Sequence, residues 1–169
     1  MGILNLNQAI NSLPPYAGRE VMRKLFGASL GPMRSVLLAT GAIAIKAGAS
    51  ALAKTVNVIQ YMVGGQLATK AAGDLAALSG TVTADAFNVY VFSVTAGGTF
   101  VTRMGLEATT LAGVKFPPVP DTEAVVGFVI VNPTGTGNFV GGTTPLDDAT
   151  VVPNAVYVNT PYPFNPNVR

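Results

Sequence analysis

The sequence predicts an all-β protein. A jelly-roll or β-sandwich body occupies residues 35–169, and an N-terminal, partly helical arm occupies residues 1–34. Three observations predict this. The strongest runs after residue 35 are strand formers, as in Phe87-Asn-Val-Tyr-Val-Phe-Ser-Val94. Gly- and Pro-rich turns separate those runs about every 8–15 residues, the spacing of sandwiches and barrels. Only one short stretch of the body reads as helix. An antiparallel, trimeric, barrel-like body is the alternative architecture.

The arm carries two short amphipathic helices. Leu6, Ala9, Ile10 and Leu13 fall on one face at i, i+3, i+4 and i+7, with Asn5 placed to cap and Pro14-Pro15 to terminate. A second helix fits residues 17–26. Val21, Met22, Leu25 and Phe26 share a face, Arg19, Arg23 and Lys24 flank it, and Gly27 suits the C′ position. Neither helix is long enough to hold its shape alone in water, so each needs a surface, on this chain's body or on a neighbour. The expected anchors are Leu6, Ile10, Leu13, Val21, Met22, Leu25 and Phe26. Arg19, Arg23 and Lys24 would steer them to an acidic surface.

In the body, residues 41–46 alternate large and small at period two, a strand pattern. Residues 55–63 read as one strand, Gly64-Gly65 as a hairpin turn and residues 66–70 as the returning strand. Residues 71–78 are the helix-like piece. The strand at 87–94 turns at Ala96-Gly97-Gly98 and returns over 99–103. Phe116-Pro-Pro-Val-Pro120 cannot be a central strand and reads as an extended connector. Residues 123–131 form a near-continuous apolar strand, buried on both faces. A turn-rich loop at 132–137, a short piece at 138–140, a last strand at 155–159 and an extended, Pro-rich tail at 160–169 complete the chain.

Composition narrows the function. Of 169 residues, 49% are apolar and only 11% charged, with ten basic and eight acidic groups. A compact monomer of 17.3 kDa exposes about 7,800 Å², so each charge would serve about 430 Å², against about 190 Å² at usual composition. So neutral a surface suits a chain that covers its outside with copies of itself, as a dimer or trimer, or with a partner. The chain has no Cys and no His, which excludes disulfides, thiolate metal sites, imidazole bases and the Ser-His-Asp triad. The expectation is no enzyme, no cofactor and no metal.

Residues 36–53 are apolar enough to suggest a membrane span. Lys46 at mid-window costs at least about 2.5 kcal/mol there, and the period-two pattern favours strands, so no membrane association is expected. Charge is asymmetric. Residues 1–70 hold seven basic groups and Glu20, net +6, and residues 71–169 hold three basic and seven acidic groups, net −4. The basic residues are spread without interleaved aromatics, and a net charge of +2 is low for tracking phosphates, so nucleic acid is not an expected partner.

No chemical motif stands out. The glycines at 135–137 and 141–142 lack the Lys-Ser or Lys-Thr of a phosphate loop. Asp147-Asp148 point to opposite faces if extended, while Asp121 and Glu123 share one. A pair of carboxylates is what a small glycoside hydrolase would need. A carbohydrate-binding sandwich would instead expose an aromatic cleft, for which Tyr61, Tyr90, Tyr157, Tyr162 and Phe164 are the candidates.

One stretch points further. Val125-Val-Gly-Phe-Val-Ile-Val-Asn-Pro-Thr-Gly-Thr-Gly-Asn-Phe-Val-Gly-Gly-Thr-Thr-Pro-Leu-Asp-Asp-Ala-Thr150 resembles a segment of tailed-bacteriophage capsid decoration (cement) proteins. So do Gly64-Gly65 with Thr69-Lys70-Ala71, Ala77-Leu78-Ser79-Gly80-Thr81 and Phe92-Ser-Val-Thr-Ala-Gly-Gly98. The resemblance spans residues 36 to about 160 and is one of Gly, Thr, Val and Pro spacing, so it transfers no site residue. It implies a viral structural protein on the outer capsid surface of the virion, made in the host cytoplasm, that bridges major capsid proteins against internal DNA pressure. A head-fibre base, a tail or baseplate component, or a carbohydrate-binding sandwich at a tail tip is the alternative.

Overall fold

The computed structural model describes residues 35–160. The arm over 1–34, with all ten of its expected anchoring and steering residues, lies outside that range, as does the tail from residue 161.

The described chain is an all-β sandwich of antiparallel sheets, as the turn-punctuated strand pattern predicts. Its strands are β1 (Val36–Ala39), β2 (Ile43–Ile45), β3 (Ala53–Thr55), β4 (Ile59–Val63), β5 (Gln66–Lys70), β6 (Gly73–Asp74), β7 (Thr81–Val82), β8 (Asn88–Thr95), β9 (Phe100–Met104), β10 (Glu123–Val131), β11 (Phe139–Val140) and β12 (Val156–Asn159). They form a four-stranded sheet in the order β12-β10-β8-β9, two three-stranded sheets, β1-β4-β5 and β2-β3-β6, and the pair β11-β7. A single 3₁₀ turn, Leu111–Gly113, is the helical element among the described residues.

The apolar run 36–53 resolves into β1, β2 and the start of β3, and no helix of the described residues is long and apolar enough to cross a membrane. Gly64 (φ 60°) and Gly65 (φ 83°) make the two-residue turn between β4 and β5, since both positions need a left-handed backbone. The β8–β9 hairpin turns at 96–99, with the Gly98 amide donating to the Thr95 carbonyl.

Two expectations are corrected. Residues 71–78 are not helical. Gly73 and Asp74 pair with β3, and the Leu75 amide donates to the Ala53 carbonyl. Leu75 and Leu78 are both buried, and their spacing fits a helix face equally well. Gly and Asp in the first turn make a weak helix, and docking on β3 wins. Nor are residues 55–63 one strand. Thr55 closes β3, the Val56 and Asn57 amides both donate to the Gly41 carbonyl, and β4 begins at Ile59. The strand propensity of Val56 and Val58 yields to that crossing, which leaves both exposed.

The main core lies between the four-stranded sheet and the smaller sheets. Tyr61, Ile59 and Leu37 meet Tyr90, Phe92, Val94, Val126, Val129 and Val131 there. The far face of the four-stranded sheet has its own cluster of Val89, Val91 and Val125, roofed by Val119 of the extended connector. Phe116 packs edge-on against Phe128 there, ring centroids 5.0 Å apart. Both faces of β10 are therefore buried, which explains its near-continuous apolar sequence.

Candidate functional site

Any chemistry of the body would reside in its polar clusters. Ser93 on β8, Arg103 on β9 and Glu123 on β10 share the connector-side face of the four-stranded sheet. Register fixes this: Arg103 lies opposite Val91, Ser93 opposite Val125, and Glu123 two residues before Val125. Arg103 grips the Glu123 carboxylate through both terminal nitrogens, Nη1 to Oε2 at 2.5 Å and Nη2 to Oε1 at 2.6 Å. Ser93 Oγ donates to the same Oε2 at 2.5 Å and accepts from Arg103 Nη1 at 3.0 Å. Burial pushes the Glu123 carboxyl up, but the hydrogen bonds from Arg103 and Ser93 and the guanidinium charge outweigh it and hold it below the usual range. Ser93 is fully buried and the Glu123 side chain is 8% exposed. The cluster has neither a free base nor access for a substrate. It ties three strands together.

Four further carboxylates, Asp74, Glu107, Asp147 and Asp148, are likewise engaged within the fold. Asp147 accepts from the Ala49 amide at 3.0 Å, and Asp148 from the amides of Thr150 and Val151 at 2.8 and 2.9 Å. Glu107 accepts from the Thr83 amide and hydroxyl, both at 2.9 Å, which holds its carboxyl below the usual value. Asp74 pairs with Lys46 at 2.5 Å. Asp121 and Glu123, which could share a face, are not presented as a couple, because Glu123 commits both oxygens to Arg103 and Ser93. Among the described residues no three acidic side chains gather as a metal site.

Of the five aromatic candidates for a cleft, the three described ones are not open to a ligand. Tyr61 and Tyr90 are core residues, 2% and 0% exposed, and Tyr157 is half-buried with its hydroxyl covered. Tyr162 and Phe164 lie outside the described residues. Burial, with a smaller contribution from Glu107, pushes the Tyr90 phenol up to about 12. Its hydroxyl makes no hydrogen bond, while its ring meets Phe139 edge-on at 5.9 Å. Tyr90→Phe is therefore expected to be neutral or to stabilise by up to about 1 kcal/mol in urea unfolding, since it removes a desolvated, unpaired hydroxyl and keeps the ring. A loss above about 1 kcal/mol would show that the hydroxyl is bonded in solution.

What the surface does offer is apolar. On the face of β1-β4-β5 away from the main core, register aligns Val36, Met62 and Leu67 in one row across three strands, buried at Val36, half-buried at Met62 and open at Leu67. Leu67 is 73% exposed, the most open large hydrophobic side chain described, and Leu38 beside the row is half exposed. Leu106 and Leu111, on the excursion between β9 and the connector, are a second exposed pair. Sequence reading missed both features. The signal for the first lay in the β4–β5 hairpin itself, since a two-residue turn fixes Met62 opposite Leu67. No family model, curated protein or solved structure matches the chain.

Proposed function

We propose that this chain is a structural contact protein of a tailed-phage virion, decorating the outer capsid surface and bridging major capsid proteins. The observation that carries the reading is how the body distributes its side chains. Five carboxylates (Asp74, Glu107, Glu123, Asp147 and Asp148) are engaged within the fold, while leucines stand open on a sheet face and a loop. A protein built this way works by covering surface, and apolar burial repeated over a lattice gives firm attachment from individually weak contacts. The resemblance over residues 36 to about 160 supports the capsid as that lattice. The arm, whose sequence carries the apolar anchors and Arg19, Arg23 and Lys24, is proposed as the second contact of the bridge. Nucleic acid, membrane and cofactor have no part in this reading.

Electron microscopy of particles made with and without the chain tests it. The expected result is regular external density on the heads, lost on deletion, together with earlier DNA release on heating. Heads of identical appearance, with the chain found in the tail or baseplate, would replace the capsid reading with the other virion role. Absence of the chain from purified particles would overturn both.

A further inference from the structure

The edges of the sheets are managed unequally. The β9 edge is covered by the segment after β6, where Thr102 Oγ1 donates to the Ala76 carbonyl at 2.7 Å. β12 meets β2, whose Ile43 amide donates to Asn159 Oδ1 at 2.8 Å. β1 is bent by a bulge between Leu37 and Ala39. β5 is the least protected: only its Lys70 end is approached, by the Phe100 ring at 5.1 Å and the β8–β9 turn. It has five residues, no Pro and no bulge, and it pairs only with β4 among the described residues.

Register says which of its backbone groups are free. A two-residue turn makes Val63–Gln66 a hydrogen-bonded pair, and alternation then makes Tyr61–Ala68 and Ile59–Lys70 hydrogen-bonded as well. The amides and carbonyls of Leu67 and Thr69 therefore point away from β4, at an edge where Gln66, Leu67 and Thr69 are all exposed. Such an edge is a template for another strand.

From this geometry we infer that β5 pairs antiparallel with β5 of a second copy about a two-fold axis at Ala68. That axis sets Leu67 opposite Thr69 twice, and each of those pairs exchanges two backbone hydrogen bonds, four in all. Charge agrees with it. Lys70, the one charged residue of β5, lies across from Gln66 of the copy. The two lysines fall at opposite ends of the ladder, about 14 Å apart and beyond the screening length at physiological salt. On the resulting six-stranded sheet the row of Val36, Met62 and Leu67 runs on into Thr69 and Gln60 of the copy, and the copy's own row lies two residues along, diagonal to it. Five residues a side are fewer than the roughly 20–30 of a standard interface, so the free dimer is weak and fills at high local concentration. The inference rests on the sheet edge alone and needs no capsid.

The natural chain has no cysteine, so single thiols report cleanly. In the full-length chain, Ala68→Cys is expected to form a covalent dimer under mild oxidation. A non-hydrogen-bonded pair on the axis sets its Cα atoms about 4.5 Å apart, within disulfide range. Leu67→Cys places its thiols diagonally at about 7–8 Å and is expected to cross-link about tenfold more slowly. Adding Thr69→Pro to Ala68→Cys removes an outward amide and should cut the yield about tenfold. Adding Leu67→Lys instead should do the same if the proline variant does not fold by circular dichroism. The pairing is overturned if Ala68→Cys cross-links no faster than Ala155→Cys, a collision control at a residue that is likewise half-buried against the core. It is also overturned if Leu67→Cys is the faster of the two. Neither result bears on where the chain sits in a particle.

Discussion

Arg103→Met is expected to destabilise the body by about 3 kcal/mol at pH 7, because it leaves the Glu123 carboxylate buried with only Ser93 as partner. The size follows from asymmetry. Making a buried ion pair gains little over an apolar contact, but removing one partner exposes the full desolvation cost of the other. The double variant Arg103→Met with Glu123→Leu should therefore recover most of the loss. Only the Ser93 hydroxyl is then left with a poor partner, the Val101 carbonyl at 3.5 Å. Acid gives an independent check. In the natural chain the folded-state pKa of Glu123 lies below its ordinary 4.5, so its contribution is fully present above that value and fades as pH falls through the lower, folded-state pKa. In Arg103→Met burial dominates and the carboxyl moves up, so the variant is relieved by protonation as pH falls. The gap between the two proteins must narrow from pH 7 toward pH 4. Urea unfolding at both pH values measures it. A gap under about 0.5 kcal/mol at pH 7 would mean that Glu123 is solvated without Arg103.

That cluster also shows how far a sequence can be read. Glu123 opens a run of apolar residues and Ser93 interrupts another, so each was visible as a polar residue on a buried strand. Their meeting was not visible. It depends on the β8–β9 hairpin setting Arg103 opposite Val91, and on β10, some twenty residues later, lying on the other side of β8. Local signals did fix the hairpins, because Gly64-Gly65 and Ala96-Gly97-Gly98 write turn geometry directly into the chain. They failed at 71–78 and 55–63, where neighbouring strands decided the conformation. The open leucines were legible as residues but not as exposed ones, since exposure is set by what the rest of the fold leaves uncovered. The Tyr residues misled for the same reason. A tyrosine in a strand reads alike on either face, and here the core claimed Tyr61 and Tyr90.

Gly127→Ala is expected to cost at least about 3 kcal/mol, and Gly127→Val to abolish folding. A methyl group at this position would overlap the Val158 carbonyl oxygen of the adjoining strand and stand 2.6 Å from Ile43 Cδ1. The isoleucine tip can turn aside, but the carbonyl belongs to a paired backbone and cannot. The glycine also sits where the ladder changes step. Val125 pairs with Ser93 and Gly127 with Phe92, so Val126 is the extra residue of a bulge. Before the bulge, Ala124 and Val126 face the main core; after it, Val129 and Val131 do, an odd shift that unbroken alternation forbids. Easing the clash by moving β12 away would break the pairing of Gly127 with Asn159, and Asn159 is also what receives the Ile43 amide. Sliding β10 by one residue instead would turn Val129 and Val131 out of the core. Gly97→Ala is the control, since a methyl group there meets nothing closer than Thr95 Oγ1 at 3.9 Å, and it should stay within about 0.5 kcal/mol of the natural chain. Thermal or urea unfolding of the two variants side by side decides the matter. If Gly127→Ala also lands within about 1 kcal/mol, the bulge yields easily and the strand is not pinned by this residue.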